Sequence, residues 1–177
     1  MTEQVANYGA NGGCVDNDDG SSWYNLTDNF FVFGGHKSDF QGHNKRSYGN
    51  INAYPGVYGP RCVMLQALPQ TGRPGMHDWD EAYRGNTCVL ATEDETYLQV
   101  GGQCDTTDKS AFTFILGDNK LYSPGAKSKV SMCGKNFEFA DWMKTELDAG
   151  TTLQDSKALT AQDIVDMGMK AIAPGAK

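Results

Sequence analysis

The sequence predicts an all-β chain wound as a right-handed parallel β-helix of about four coils, closed by a C-terminal helical cap. Three observations predict it. A short pattern recurs four times: a small or acidic residue, then Asn, then a brief strand. Its copies are Asp28-Asn29-Phe30-Phe31-Val32, Gly49-Asn50-Ile51-Asn52-Ala53, Gly85-Asn86-Thr87-Cys88-Val89 and Asp118-Asn119-Lys120-Leu121-Tyr122. The composition, with 21 glycines and 39% hydrophobic residues in 177, suits turns and strands. Helical periodicity is confined to the C-terminus. Asn suits each corner because it tolerates left-handed backbone and bonds neighbouring backbone groups. Stacked in register, each amide can donate to the next, which satisfies polar groups inside a buried turn.

The elements follow in order. Residues 1–20 are a polar segment with turn chemistry at Asn11-Gly12-Gly13 and Asp16-Asn17-Asp18-Asp19-Gly20. Coils occupy residues 21–136, beginning with a strand at Trp23-Tyr24-Asn25-Leu26. The four Asn corners are 21, 36 and 33 residues apart, against about twenty for a bare coil. The excess reads as an inserted loop at about 70–84 and a broad turn over Gly101–Lys109. Further strands are Val63–Leu65, Tyr97–Val100 and Phe112–Leu116. Alternation turns Phe31, Phe33, Tyr54, Cys88, Leu90 and Leu121 toward the core. Residues 137–177 form the cap over the open strand edges. Phe137–Met143 leads into a helical turn. Thr160-Ala161-Gln162-Asp163 has capping-box spacing. Ile164, Val165, Gly168, Met169 and Ile172 recur at helical intervals, and Pro174-Gly175 stops the helix.

A net charge of −7 argues against nucleic acid and anionic membranes as partners, since both need a basic face. No apolar run is long enough to span a bilayer. Met1-Thr2-Glu3-Gln4 has none of the regions of a secretion signal. The five cysteines show no CxxC pair and no zinc spacing, so no metal is expected at thiolates. In adjacent coils Cys104 can pair with Cys133, and Cys62 with Cys88. The alternative for Cys88 is a stacked core residue; Cys14 is left over. Asn25-Leu26-Thr27 is a glycosylation sequon.

Asp19-Gly20-Ser21-Ser22-Trp23-Tyr24-Asn25, then Asn29 through Phe40, then Gly42-His43-Asn44-Lys45, resemble the last coils of right-handed β-helix proteins of the pectin-lyase-like superfamily. Tyr54-Pro55-Gly56-Val57-Tyr58-Gly59 and the stretch Leu147–Asp155 extend the resemblance to roughly residues 11–172. It implies a secreted protein acting on carbohydrate, and a C-terminal portion of a longer member. The paired-Asp and Gly-His-Gly motifs of the hydrolases and the Asp-Pro-His of the epimerases do not occur here. No catalytic set carries over, and fold alone does not decide function.

The residues themselves offer one constellation. Asp18 and Asp19 precede one coil, and His36, Asp39 and His43 follow the next strand. On one edge they could serve as acid and base on a glycan. Lys37 and Lys45 would hold a uronate carboxylate, and Tyr58 and Trp79 would stack on sugar rings. The bland alternative is solvated acidic turns, with the imidazoles bonded to backbone and Trp79 shielding a flank. Asp16, Asn17, Asp18 and Asp19 are oxygen-rich enough to suggest calcium, but they lack the alternating spacing of an EF-hand loop. The function expected is thus a secreted carbohydrate-binding or carbohydrate-processing protein, with a polysaccharide as partner. The alternatives are a non-catalytic structural or matrix module joined to an upstream β-helix portion or another chain, and a subunit of a larger assembly.

Overall fold

The structure, a computed structural model, describes residues 13–17, 21–38, 44–55, 61–66, 81–101, 114–132 and 134–173. It is built mostly of strands in parallel sheets. The first sheet holds β1 (Gly13–Asn17), β4 (Gly35–Ser38), β7 (Arg61–Gln66), β10 (Thr96–Gly101), β13 (Lys129–Met132) and β14 (Lys135–Glu138), in that order. The second holds β2 (Asn25–Thr27), β5 (Arg46–Tyr48), β8 (Glu81–Arg84) and β11 (Phe114–Gly117). The third holds β3 (Phe30–Val32), β6 (Ile51–Ala53), β9 (Thr87–Val89), β12 (Lys120–Ser123) and β15 (Thr152–Asp155). The chain therefore visits the three sheets in turn. Each pass lays a new parallel strand beside the strand of the previous pass. Among the described strands only β14 runs antiparallel, folding back on β13.

The corner between the second and third sheets is two residues long on each of the first four passes, and its chemistry explains the repeated pattern. The first corner residue is left-handed: Asp28, Gly49, Gly85, Asp118 and Gly150 have φ of 56°, 66°, 62°, 56° and 79°. Glycine takes that conformation freely, and Asp is among the few other residues that do. The second residue is the Asn. Asn29 N–H donates to Asn50 Oδ1 at 3.0 Å, Asn50 N–H to Asn86 Oδ1 at 2.9 Å, and Asn86 N–H to Asn119 Oδ1 at 2.9 Å. The expected ladder of stacked amides is present and has a direction. It ends on a rung the sequence reading did not anticipate. Thr151 accepts from Asn119 N–H at 3.1 Å, and its hydroxyl donates to buried Asp148. Among the described residues β15 is the end strand of the third sheet, and a hydroxyl closes the column there.

The core runs up the stack. From Cys62 onward most inward positions are apolar: Val63, Leu65, Leu98, Val100, Val130, Met132, Leu116 and Leu121 pack with Tyr83, Tyr97 and Trp142. Each such side chain contributes about 1.5–3 kcal/mol on burial. The Cys62–Cys88 disulfide ties the first sheet to the third within this core. Cys104 and Cys133 lie outside the described residues.

Two expectations need correction. Phe33 and Tyr54 do not face inward. Both have left-handed backbone, φ 64° and 54°, which breaks the alternation just after the three-residue strand. Phe33 is 58% exposed and stacks on Tyr54 with ring centroids 6.4 Å apart. The C-terminal helix does not close the end of the stack either. The short helix α1 (Phe139–Met143) does that, giving Phe139 and Trp142 to the core. Helix α2 (Ala161–Ile172) begins with the expected capping box between Thr160 and Asp163. It then lies along the outside of the third sheet, against β3 and β6. Gly168 permits this, since a Cβ there would overlap the Phe30 ring. That cover is why outward-facing Ile51 and Ala53 are buried.

Candidate functional site

Two places hold chemistry: the interior of the second pass and the outer face of the second sheet. Alternation and burial identify the inward side chains of the second pass as His36, Ser38, Lys45, Ser47, Asn50 and Asn52. All six are polar, and none exceeds 5% exposure. A stretch of this kind is costly unless its groups pair. Most do. Lys45 Nζ lies 2.8 Å from Glu81 Oε1, and the Ser38 hydroxyl donates to Glu81 Oε2 at 2.8 Å. Asn50 Nδ2 donates to Ser47 Oγ at 3.0 Å, and Asn52 Nδ2 to the Tyr83 hydroxyl oxygen at 3.0 Å. His36 Nε2 stands 3.3 Å from Asn17 Nδ2, a donor. Nε2 accepts from that amide in the tautomer that carries the ring proton on Nδ1. Among the described residues His36 Nδ1 and Asn52 Oδ1 have no hydrogen-bond partner. Burial, with the Lys45 charge behind it, pushes the His36 imidazole down to about 4. Burial pushes the Tyr83 phenol up, partly offset by the Asn52 bond.

Sequence reading put His36, Lys37 and Lys45 on an open edge. His36 and Lys45 face the interior. Lys37 is on the opposite face of β4, only 3% exposed, with Nζ 3.0 Å from Asp16 Oδ1. Asp16 and Lys37 are direct register partners in β1 and β4. Thus Lys45, just ahead of β5, faces the interior and Lys37 the outer face of β4, each with a carboxylate. Asp18, Asp19, Asp39, His43, Tyr58 and Trp79 lie outside the described residues. Among the described residues no group of three or more His, Cys, Asp or Glu could hold a metal ion. Glu81 was missed in the sequence, where it reads as the end of a loop. The signal that could have found it is its place two residues before Tyr83, on the same face of one strand.

The second sheet turns a different set outward. Its register aligns Asn25, Arg46, Ala82 and Ile115 in one row, and Thr27, Tyr48, Arg84 and Gly117 in the next. Trp23 and Tyr24 lead into this sheet and are 73% and 50% exposed; Tyr48 is 38% exposed. Arg84 pairs with Asp118 at the far corner. Aromatic rings, amide, hydroxyl and guanidinium groups thus share one surface. The sequon residues Asn25 and Thr27 are exposed on it. No helix among the described residues is long and apolar enough to cross a membrane. Comparison of the chain with family models, with curated proteins and with solved structures found no match to any of them.

Proposed function

We propose that the chain is a right-handed parallel β-helix of a secreted protein that binds polysaccharide along the outer face of its second sheet. The fold part is supported by the three-sheet order, in which every third strand pairs in parallel. Parallel crossovers are right-handed in about 98% of cases. The function rests on one observation: Trp23, Tyr24 and Tyr48 stand exposed on or beside a surface that also carries Asn25, Thr27, Arg46 and Arg84. Sugar rings stack their apolar faces on such aromatics while amide, hydroxyl and guanidinium groups take their hydroxyls and carboxylates. In chain order Asp18, Asp19, Asp39 and His43 fall in the connections from the first sheet to the second. Catalysis there, with or without calcium, is the enzymatic form of the same proposal.

The test is titration of a panel of neutral and uronate-containing polysaccharides into protein made without glycosylation, because a carbohydrate on Asn25 would occupy this surface. Tyr48→Ala and Trp23→Ala are expected to weaken binding at least about tenfold, the loss of one stacked ring. Absence of binding, or affinity unchanged in both variants, overturns the reading. A structural or assembly module is the second reading, favoured by β1, β2 and β3 each being, among the described residues, an end strand of its sheet. Sedimentation showing concentration-dependent end-to-end association would support it.

A further inference from the structure

Among the described residues, the apolar cluster that starts at Cys62 takes no buried residue from the first two passes. Inside, those passes meet the third through the polar groups of the second: His36, Ser38, Lys45, Ser47, Asn50 and Asn52. They are also held by the ladder and by strand pairing, and outside by α2 through Phe30 and Ala53. In a stack whose units contact only their neighbours, opening can start at one end and stop where cohesion rises. The interior changes from wholly polar to largely apolar between the second and third passes, with Glu81 and Asn86 of the third pairing to the second.

We propose that the second pass is an acid-sensitive seam, at which the first two passes open on acidification while the third to fifth stay folded. The trigger is His36. In the first sheet it is flanked by Val15 of β1 and Val63 of β7. The polar and charged groups around it are Asn17 from β1, Tyr83 and Glu81 from β8, and Lys45 just ahead of β5. On its own strand, Lys37 and its partner Asp16 lie on the other face. Protonation puts a second cation beside Lys45 and turns Nε2 into a donor facing the Asn17 amide, also a donor. Burial opposes that charge, which holds the ring neutral until about pH 4. Opening restores hydration to the imidazolium and leaves the apolar cluster intact. The inference does not rest on glycan binding.

Nuclear magnetic resonance of the whole chain between neutral pH and about pH 4 tests it. Backbone signals of residues 21–38 and 44–55 are expected to lose their native positions while those of 81–101 and 114–132 keep theirs. The His36 ring signals should titrate in step with that loss. His36→Gln should keep the first two passes folded at the lower pH. The ring titration in the unmodified chain decides the matter if the variant does not fold. A His36 ring that titrates near its free value with no loss of signals overturns the proposal. So does simultaneous loss across all five passes, or His36→Gln opening at the unmodified chain's pH.

Discussion

Replacing Asn86 by Ala removes the middle rung of the ladder, and its cost follows from what is left behind. Asn86 Oδ1 accepts from Asn50 N–H at 2.9 Å and Asn50 Nδ2 at 3.0 Å, and Asn86 Nδ2 donates to Ser47 C=O at 2.9 Å. Asn50 Nδ2 keeps Leu26 C=O and Ser47 Oγ. The buried Asn50 N–H loses its acceptor, and the Ser47 carbonyl loses a donor. An orphaned buried group costs about 1–3 kcal/mol, so the change should cost about 3 kcal/mol. Asn29→Ala is the control. Its side chain donates to Asn50 Oδ1 and Thr27 C=O. The Asn29 N–H keeps Asn50 Oδ1 as acceptor when that side chain is removed. That loss should stay at about 1 kcal/mol or less. Urea denaturation followed by circular dichroism measures both; a slope of about 2 kcal/mol/M turns the difference into a midpoint gap of about 1 M. Equal costs in the two variants would refute the directional ladder.

Other outcomes follow from the same contacts. Lowering pH from 7 to 5 should reduce unfolding free energy by about 2 kcal/mol through His36, because the unfolded chain, with an imidazole near its ordinary value, binds the proton first. Stability from this group is complete above the free value and lost as pH falls toward about 4, and denaturation of His36→Gln should lack this component. Reducing Cys62–Cys88, whose sequence separation is 26, should cost about 3 kcal/mol, read as a lowered Tm under reductant. Gly168→Ala pushes a Cβ into the Phe30 ring. It should cost about 1–3 kcal/mol and speed amide exchange in α2 while leaving the core strands protected.

Much of the fold could be read from the Asn corners, because one side chain there does a job few others can. The left-handed residue before each Asn explains why Asp28 and Asp118 can stand where Gly49 and Gly85 do. Thr151 escaped notice because a hydroxyl closes a column without resembling its other members. Phe33 and Tyr54 were turned the wrong way because strand alternation was carried one residue past a corner. The position of α2 was not legible, since an amphipathic helix states that one face is covered but not by which strands. The site was harder still. His36 and Lys45 look like surface chemistry in sequence, and only the stacking order shows that they meet Asn17 and Glu81 inside. Tyr48 gains significance only through its row with Thr27 and Arg84.

Every position assigned to an inner or outer face depends on five corners standing one above another. Hydrogen exchange at the corner amides of Asn29, Asn50 and Asn86 tests that most directly, since each is a turn N–H whose acceptor is a side chain on the next pass. Slowing of at least about a hundredfold relative to free peptide at Asn50 and Asn86, lost at Asn50 in Asn86→Ala, is the predicted result. Exchange at free-peptide rates, or protection at Asn50 that survives Asn86→Ala, would contradict the stacked column.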